Sequence, residues 1–251
     1  MSSNASNAGP STGGPSRNAR ERLQREQEAQ RKRERRILGL VALAAVLLIV
    51  GVGIGVQQWR SGRTPSALPS TAGSLAPVTI ADGKPIVLGQ AGAPVKVQLY
   101  EDFHCPHCAD FEEELGPTLT AEQQSGRLAI ELYPMSFIDE GSATAANAMA
   151  CAAEAGFGQA YYLGLFANHT LEWSDSQLVD LAGKVSSQVP ASFDGCVTTK
   201  AHAGWVDSIN AAAQANGVTS TPTMLVSGTP VDVGTVTPES LKGMIDEAAR
   251  K

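Results

Sequence analysis

The sequence predicts a mixed α/β domain with an inserted helical segment, preceded by a single transmembrane helix. Three observations lead to this prediction. Residues 37–56 form an uncharged apolar run, and short strand-like runs lie on both sides of a longer segment. That segment, 143–216, is rich in Ala, Leu, Gln and Glu, which is typical of helices. The chain of 251 residues is long enough to hold such a domain after a non-globular N-terminal part.

The first 36 residues are predicted to form a disordered tail with a basic end. Residues 1–16 consist mainly of Ser, Asn, Gly, Pro and Ala and show no apolar period. Residues 17–36 hold nine Arg or Lys and four Glu. Because Lys and Arg remain on the cytoplasmic side of a membrane, this tail is expected to lie in the cytoplasm.

Residues 37–56 are predicted to cross the cell membrane once, with the rest of the chain outside the cytoplasm. Twenty residues of helix rise roughly 30 Å, which matches the hydrocarbon core of a bilayer. An uncleaved signal-anchor is favoured over a cleaved signal peptide. The apolar run is long, and 57–60, Gln-Gln-Trp-Arg, shows no small-residue cleavage pattern.

Residues 57–77 are predicted to be a flexible tether, and 78–251 an extracytoplasmic domain. Ser, Pro, Gly, Ala and Thr dominate the tether. After the predicted transmembrane helix the chain carries 21 acidic and ten basic residues. This acidic balance argues against nucleic-acid binding.

Apolar runs within the domain predict four strands, at 85–88, 95–101, 128–133 and 223–226. Several helices are predicted between the third and the fourth strand. Residues 228–230 predict a hairpin turn that leads into a short strand at 231–233. Residues 238–250 predict an amphipathic C-terminal helix that begins with a proline.

The motif Cys105-Pro106-His107-Cys108 indicates reversible redox chemistry. It lies between a predicted strand and a predicted helix, so the two cysteines are close enough to form a disulfide. Cys105 is the predicted nucleophile, because unpaired N–H groups and the dipole at a helix N-terminus favour the thiolate. His107 is expected to add positive charge or a hydrogen bond to this sulfur, and Pro106 fits the first helical turn.

A zinc site and a static disulfide are the alternatives for this motif. A structural zinc site needs four ligands, usually from two cysteine pairs or from one pair and spaced histidines. The other two cysteines, Cys151 and Cys196, are isolated in the sequence. Neither a metal nor an organic cofactor is therefore predicted.

The chain resembles the DsbA-like thiol oxidoreductases of the thioredoxin superfamily over roughly residues 85–251. The resemblance rests on 100–108 with its Cys-Pro-His-Cys tetrapeptide, on 145–157 and on 215–223. It implies a thioredoxin-like fold with a helical insertion at about 139–216. It also implies that Pro222 is cis and packs against the cysteine pair, and that Thr221 offers its backbone to an extended substrate.

The remaining candidate residues are two cysteines and two acids. Cys151 and Cys196 are expected to form a structural disulfide, because the compartment is oxidising and the cysteine count is even; two buried free thiols are the alternative. Thioredoxin-like proteins often carry a buried carboxylate under the redox pair, so Glu101 and Asp102 are candidates for proton transfer. Exposed acids at a strand end are the alternative for both.

The sequence thus predicts a membrane-anchored thiol:disulfide oxidoreductase that introduces disulfides into exported cysteine-containing proteins. The resemblance implies reoxidation by a quinone-linked membrane oxidase. A reductase or isomerase kept reduced by a membrane donor is one alternative, because DsbA usually has Val at the position of Thr221. A non-catalytic, chaperone-like module that binds unfolded chains near Pro222 is another.

Overall fold

The computed structural model of this chain describes residues 77–251, together with the short helical pieces 38–39 and 45–52. The predicted tail, much of the predicted transmembrane helix and nearly all of the tether lie outside these residues. Within the described parts of the chain, no helix has the length and apolar character needed to span a membrane.

One five-stranded sheet organises the domain formed by residues 77–251. Its strands are β1 (Ile86–Gly89), β2 (Val95–Glu101), β3 (Leu128–Pro134), β4 (Thr223–Val226) and β5 (Thr229–Val231). The spatial order is β1-β3-β2-β4-β5. β2 and β3 run parallel, with Val97 opposite Ile130, and the other neighbouring strands are antiparallel. Parallel neighbours require a crossover connection, and the helices after the cysteine motif provide it.

Eight helices occur within residues 77–251. They are α1 (Pro106–Glu114), α2 (Gly116–Gln124), α3 (Glu140–Glu154), α4 (Gly158–Ala167), α5 (Asp175–Val185), α6 (Ser192–Thr198), α7 (Ala203–Ala215) and α8 (Pro238–Ala248). Helices α3 to α7 lie consecutively between β3 and β4, where the sequence predicts the helical insertion. Helix α3 contacts α4, α5, α6 and α7, so it forms the centre of this insertion.

Local sequence explains where three of these helices begin. Capping boxes start α3 at Asp139, α5 at Ser174 and α8 at Thr237; in each, the cap side chain accepts a hydrogen bond from the third helical residue. Helix α3 is rich in alanine and buried over most of its length, which permits close packing of its neighbours. A disulfide joins Cys151 on α3 to Cys196 on α6, with their Cα atoms 6.0 Å apart.

The hairpin near the C-terminus starts its second strand earlier than the sequence predicts. Strand β5 begins at Thr229, whereas the apolar pattern placed the strand at 231–233. Ser227 and Gly228 have φ angles of 47° and 81°, so these two residues alone make the turn. Two-residue hairpin turns with two positive φ angles match the twist of the flanking strands. Thr229, the first residue after the turn, therefore already pairs with Val226.

Candidate active site

The two cysteines of the motif lie at the start of α1, directly after the central strand β2. Cys105 is the N-cap residue with an extended backbone (φ −76°, ψ 116°), and Pro106 occupies the first helical position. The Cys108 N–H donates to the Cys105 carbonyl at 3.1 Å. Both thiols are free. Cys105 retains 5% of its surface in contact with solvent and Cys108 none, so an incoming thiolate meets Cys105 first.

The loop before β4 also contacts the cysteine pair. The Thr221–Pro222 peptide bond is cis. The Cys105 thiol donates to the Thr221 carbonyl at a sulfur–oxygen distance of 3.7 Å, and the Thr221 side chain hydrogen-bonds Cys108. Residues more than a hundred positions apart thus meet at the redox pair, because β4 lies beside β2 in the sheet.

The buried cysteine is held in its protonated form. Burial raises the pKa of the Cys108 thiol well above its usual range, and the negative charge of Glu101 raises it further. Hydrogen bonds from the Asp102 backbone and the Thr221 side chain oppose this effect but are smaller. When the disulfide is reduced, Cys108 therefore takes up a proton that must be supplied inside the protein.

Glu101 lies completely buried at the end of β2, near both thiols. The Tyr162 hydroxyl on α4 donates to its Oε2 atom at 2.5 Å, and its Oε1 atom has no hydrogen-bond partner among the described residues. Burial raises the pKa of Glu101 well above its usual range, and the charges of Glu112 and Cys105 act in the same direction. A carboxyl group in this position keeps its proton to a higher pH than an exposed glutamate does.

Asp102 is also completely buried, but its carboxylate serves as an anchor for surrounding segments. Four donors converge on it at 2.7–3.1 Å: the N–H groups of His104, Phe137 and Ile138 and the Ser142 hydroxyl. With its lone pairs engaged, Asp102 joins the motif to the loop that leads into α3. Of the two acids that the sequence nominates for proton transfer, Glu101 is therefore the one with a free oxygen.

A profile of the thioredoxin family matches residues 81–247. The chain belongs to the thioredoxin family. This assignment confirms the predicted thioredoxin-like fold, and the cysteine pair at the start of α1 and the cis-proline loop beside it form the candidate active site of this thioredoxin-family domain. Among curated proteins, the sequence has no significant match.

Solved structures with the same fold include several thiol-disulfide oxidoreductases. Oxidised DsbA from Mycobacterium tuberculosis superposes with a TM-score of 0.57 at 24% identity, covering 66% of this chain and 93% of its own. BdbD from Bacillus subtilis gives 0.59 at 20% identity, covering 68% and 99%. MdbA from Actinomyces oris, described as a thiol-disulfide oxidoreductase, gives 0.55 at 24% identity, covering 64% and 84%. The enzyme class predicted for this chain agrees with these names, and at such identities the similarity itself establishes the fold.

The two histidines of the motif region differ in their surroundings. His107, which the sequence predicts to interact with the Cys105 sulfur, is 85% exposed. Its Nδ1 atom lies 3.9 Å from the Asp110 carboxylate. His104, which the sequence leaves without a role, is nearly buried, and its Nδ1 atom lies 2.7 Å from Asp139. Its imidazole therefore links the thioredoxin-family motif to the N-terminus of α3.

Sequence reasoning did not identify Glu112 and Tyr162 as part of this site. Glu112 follows Cys108 by four positions on α1, a spacing that places both on one helix face, so a signal for it was present. Tyr162 lies in the insertion, whose packing against β2 has no local signature.

One further group of side chains has metal-ligand spacing within the described part of the chain. It contains Cys151, Cys196 and His202. The two sulfur atoms are bonded to each other in the disulfide, so neither offers a thiolate, and the His202 Nε2 atom lies 2.8 Å from Glu154. Thiolates are the species that bind zinc, so this group does not fit a zinc centre in the oxidised form.

Proposed function

We propose that this protein is a membrane-anchored, extracytoplasmic thiol:disulfide oxidoreductase that introduces disulfides into exported cysteine-containing proteins. The unequal environment of the two thiols carries this proposal. Cys105 lies at a helix N-terminus and keeps 5% of its surface exposed, whereas Cys108 is fully buried and has a raised pKa. Such a pair exchanges through one sulfur and resolves through the other.

Disulfide donation begins from the oxidised Cys105–Cys108 pair. A substrate thiolate attacks the Cys105 sulfur, the Cys105–Cys108 bond breaks, and Cys108 leaves as a thiolate that takes up a proton. The substrate is now joined to Cys105 in a mixed disulfide. A second substrate thiolate attacks the substrate sulfur of this bond and releases the Cys105 thiolate. The substrate loses two electrons, and the cysteine pair gains them.

The Thr221–Pro222 loop supports the binding of an extended substrate segment next to Cys105. The carbonyl oxygen of Thr221, a half-buried residue, lies 3.7 Å from the Cys105 sulfur. Backbone groups at this position are able to pair with a substrate strand and to hold its cysteine in line with the disulfide. Because backbone pairing is independent of side chains, this mode suits many different exported substrates.

Helical residues 45–52 support the proposed membrane anchor. They carry no charge, and their large side chains, from Val46 to Val52, are 51–72% exposed. A helix with apolar side chains exposed on all sides is suited to lipid. We propose a quinone-linked membrane oxidase as the partner that reoxidises the cysteine pair. An anchored enzyme and a membrane electron acceptor both diffuse in the plane of the membrane, which favours their encounter.

Deleting 37–56 should move the protein from the membrane fraction to the cytoplasm. The deletion removes the apolar run that directs export and anchoring. In spheroplasts, a membrane-impermeant maleimide should then label Cys105 of the reduced full-length protein but not Cys105 of the deletion variant. Equal labelling of both proteins would contradict the proposed topology.

The reduction potential of the full-length protein tests the direction of electron flow. We expect an oxidising value above about −150 mV, because the N-terminus of α1 stabilises the Cys105 thiolate of the reduced form. The measurement is equilibration with glutathione buffers, followed by alkylation and mass analysis of Cys105 and Cys108. A value close to about −270 mV would contradict disulfide donation and support a reductase or isomerase.

A further inference from the structure

A buried hydroxyl connects the acid beneath the cysteines with a second acid on α1. Tyr162 is completely buried, and its hydroxyl group forms hydrogen bonds with both Glu101 and Glu112. Burial raises the pKa of Tyr162 well above its usual range, so the hydroxyl keeps its proton. A hydroxyl group has one hydrogen to donate, so Tyr162 cannot donate to both carboxylates at once. Both hydrogen bonds form when one carboxyl group is protonated and donates to the Tyr162 oxygen.

The second acid reaches the surface. Glu112 lines a cavity of about 370 Å³ between α1 and α2, and the cavity is also lined by Pro117 and Ala121, which are exposed. Gly116 permits this position, because a Cβ atom there would lie 2.7 Å from Glu112 Oε2. The volume is sufficient for several water molecules beside the carboxyl group.

Resting on the redox function proposed above, we propose that Tyr162 and Glu112 form a proton relay between Glu101, beneath the Cys108 thiol, and the water-accessible cavity at α1 and α2. Glu101 has a free Oε1 atom for exchange with Cys108, and its Oε2 atom faces Tyr162. Three consecutive groups therefore join the buried sulfur to solvent without opening the domain.

In each direction, the relay takes up one proton at one end for every proton that it releases at the other. When the disulfide is reduced, Glu101 gives its proton to the Cys108 thiolate. Tyr162 passes its hydroxyl proton to Glu101 and accepts one from Glu112, which is recharged by water in the cavity. When the pair is reoxidised, the Cys108 proton leaves by the same groups in reverse order. Tyr162 is neutral before and after each transfer.

The acidity of the two carboxyl groups suits this role. Burial raises the pKa of Glu112 to about 7, and burial together with the charge of Glu112 raises that of Glu101 well above its usual range. The titratable groups that face the relay are the Cys105 and Cys108 thiols. Because the pKa of Glu112 lies near a neutral working pH, this carboxyl group both accepts and returns a proton readily.

Two substitutions in the full-length protein test the relay. Tyr162→Phe removes the hydroxyl but keeps the ring that packs at 5.2 Å from the Phe166 ring, and Glu112→Gln removes the titrating carboxyl. Glu113→Gln, at an exposed position of the same helix, is the matched control. The measurement is single-turnover reduction of the oxidised protein by excess glutathione across the neutral pH range.

We expect both substitutions to slow this reduction at least tenfold, because general acid–base catalysis typically contributes a larger factor than this. After each rate is divided by the thiolate fraction of glutathione at that pH, the natural protein should retain a pH dependence centred on about 7. This remaining pH dependence should disappear in Glu112→Gln, whereas Glu113→Gln should behave like the natural protein. Equal rates and unchanged pH profiles in Tyr162→Phe and Glu112→Gln would overturn the relay. So would a slowing that leaves the pH profile of Glu112→Gln unchanged, since that outcome indicates a structural effect.

Failure of the relay is distinguishable from failure of the proposed function. Glutathione reduces the Cys105–Cys108 disulfide whichever way electrons flow in the cell, so a reducing potential would overturn the oxidase and leave this test intact. An infrared difference spectrum between the oxidised and reduced forms provides an independent readout. The relay requires a protonated-carboxyl signal that changes with redox state and is altered in Glu112→Gln; an unaltered signal would overturn it.

Discussion

Replacing Cys105 by Ser should reduce disulfide transfer to the uncatalysed rate. A hydroxyl at this position cannot form the mixed disulfide, and Cys108 has no exposed surface through which to replace it. The measurement is the oxidative refolding of a reduced substrate protein that contains several cysteines, with the full-length oxidoreductase in catalytic amounts and an oxidant in excess.

Cys108→Ser is the informative companion to this variant. Incubated with oxidised glutathione or a disulfide-containing substrate, it should accumulate a mixed disulfide at Cys105, because the neighbouring thiol that resolves this bond is missing. If Cys105→Ser instead supports refolding as well as the natural protein does, the chain acts as a chaperone-like binding module, and the enzymatic proposal is wrong.

Replacing Asp102 by Ala should destabilise the domain by about 4 kcal/mol. The change leaves four donors without their charged acceptor, and each lost hydrogen bond to a buried charge costs on the order of 1–3 kcal/mol, of which relaxation and water recover a part. Urea unfolding followed by tryptophan fluorescence gives the difference in free energy of unfolding. Asp110→Ala is the control, because this acid on α1 is 80% exposed.

The same substitution should also disturb the redox site. The Asp102 carboxylate holds the His104 N–H, one residue before Cys105, and the backbone of Phe137 and Ile138. Loss of this connection frees the start of α1 from the loop that leads into α3. An unfolding midpoint for Asp102→Ala equal to that of Asp110→Ala would show that water satisfies these donors, and the anchoring role would then be wrong.

Local sequence was sufficient to predict the arrangement around the cysteines. The apolar period of 95–101 indicates a strand, Pro106 indicates the first turn of a helix, and the two together place Cys105 at the helix N-terminus, where the structure has it. Pro238 likewise indicates the start of the last helix. These signals are readable because they depend on neighbours within a few residues of one another.

The roles of the acids could be predicted only in part. The strand alternation of β2 directs the Glu101 side chain inward, and the burial of Glu101 agrees with this expectation. The same pattern does not predict which side chains form hydrogen bonds with Glu101. Tyr162 is 61 positions away in the chain, and the packing of α4 against β2 and α1 decides that its hydroxyl reaches Glu101.

By itself, the sequence determined the redox motif, the α/β class, the place of the helical insertion and the acidic character of the chain after residue 56. Each of these follows from residue types and spacings over short stretches. Only the tertiary structure shows that Asp102 anchors a loop, whereas Glu101 keeps an oxygen without a partner among the described residues. It also shows that Thr221 lies beside Cys105 and that Glu112, which hydrogen-bonds Tyr162, lines a surface cavity. Burial and long-range contact control the charge state of a carboxyl group, and both arise only when distant segments pack together.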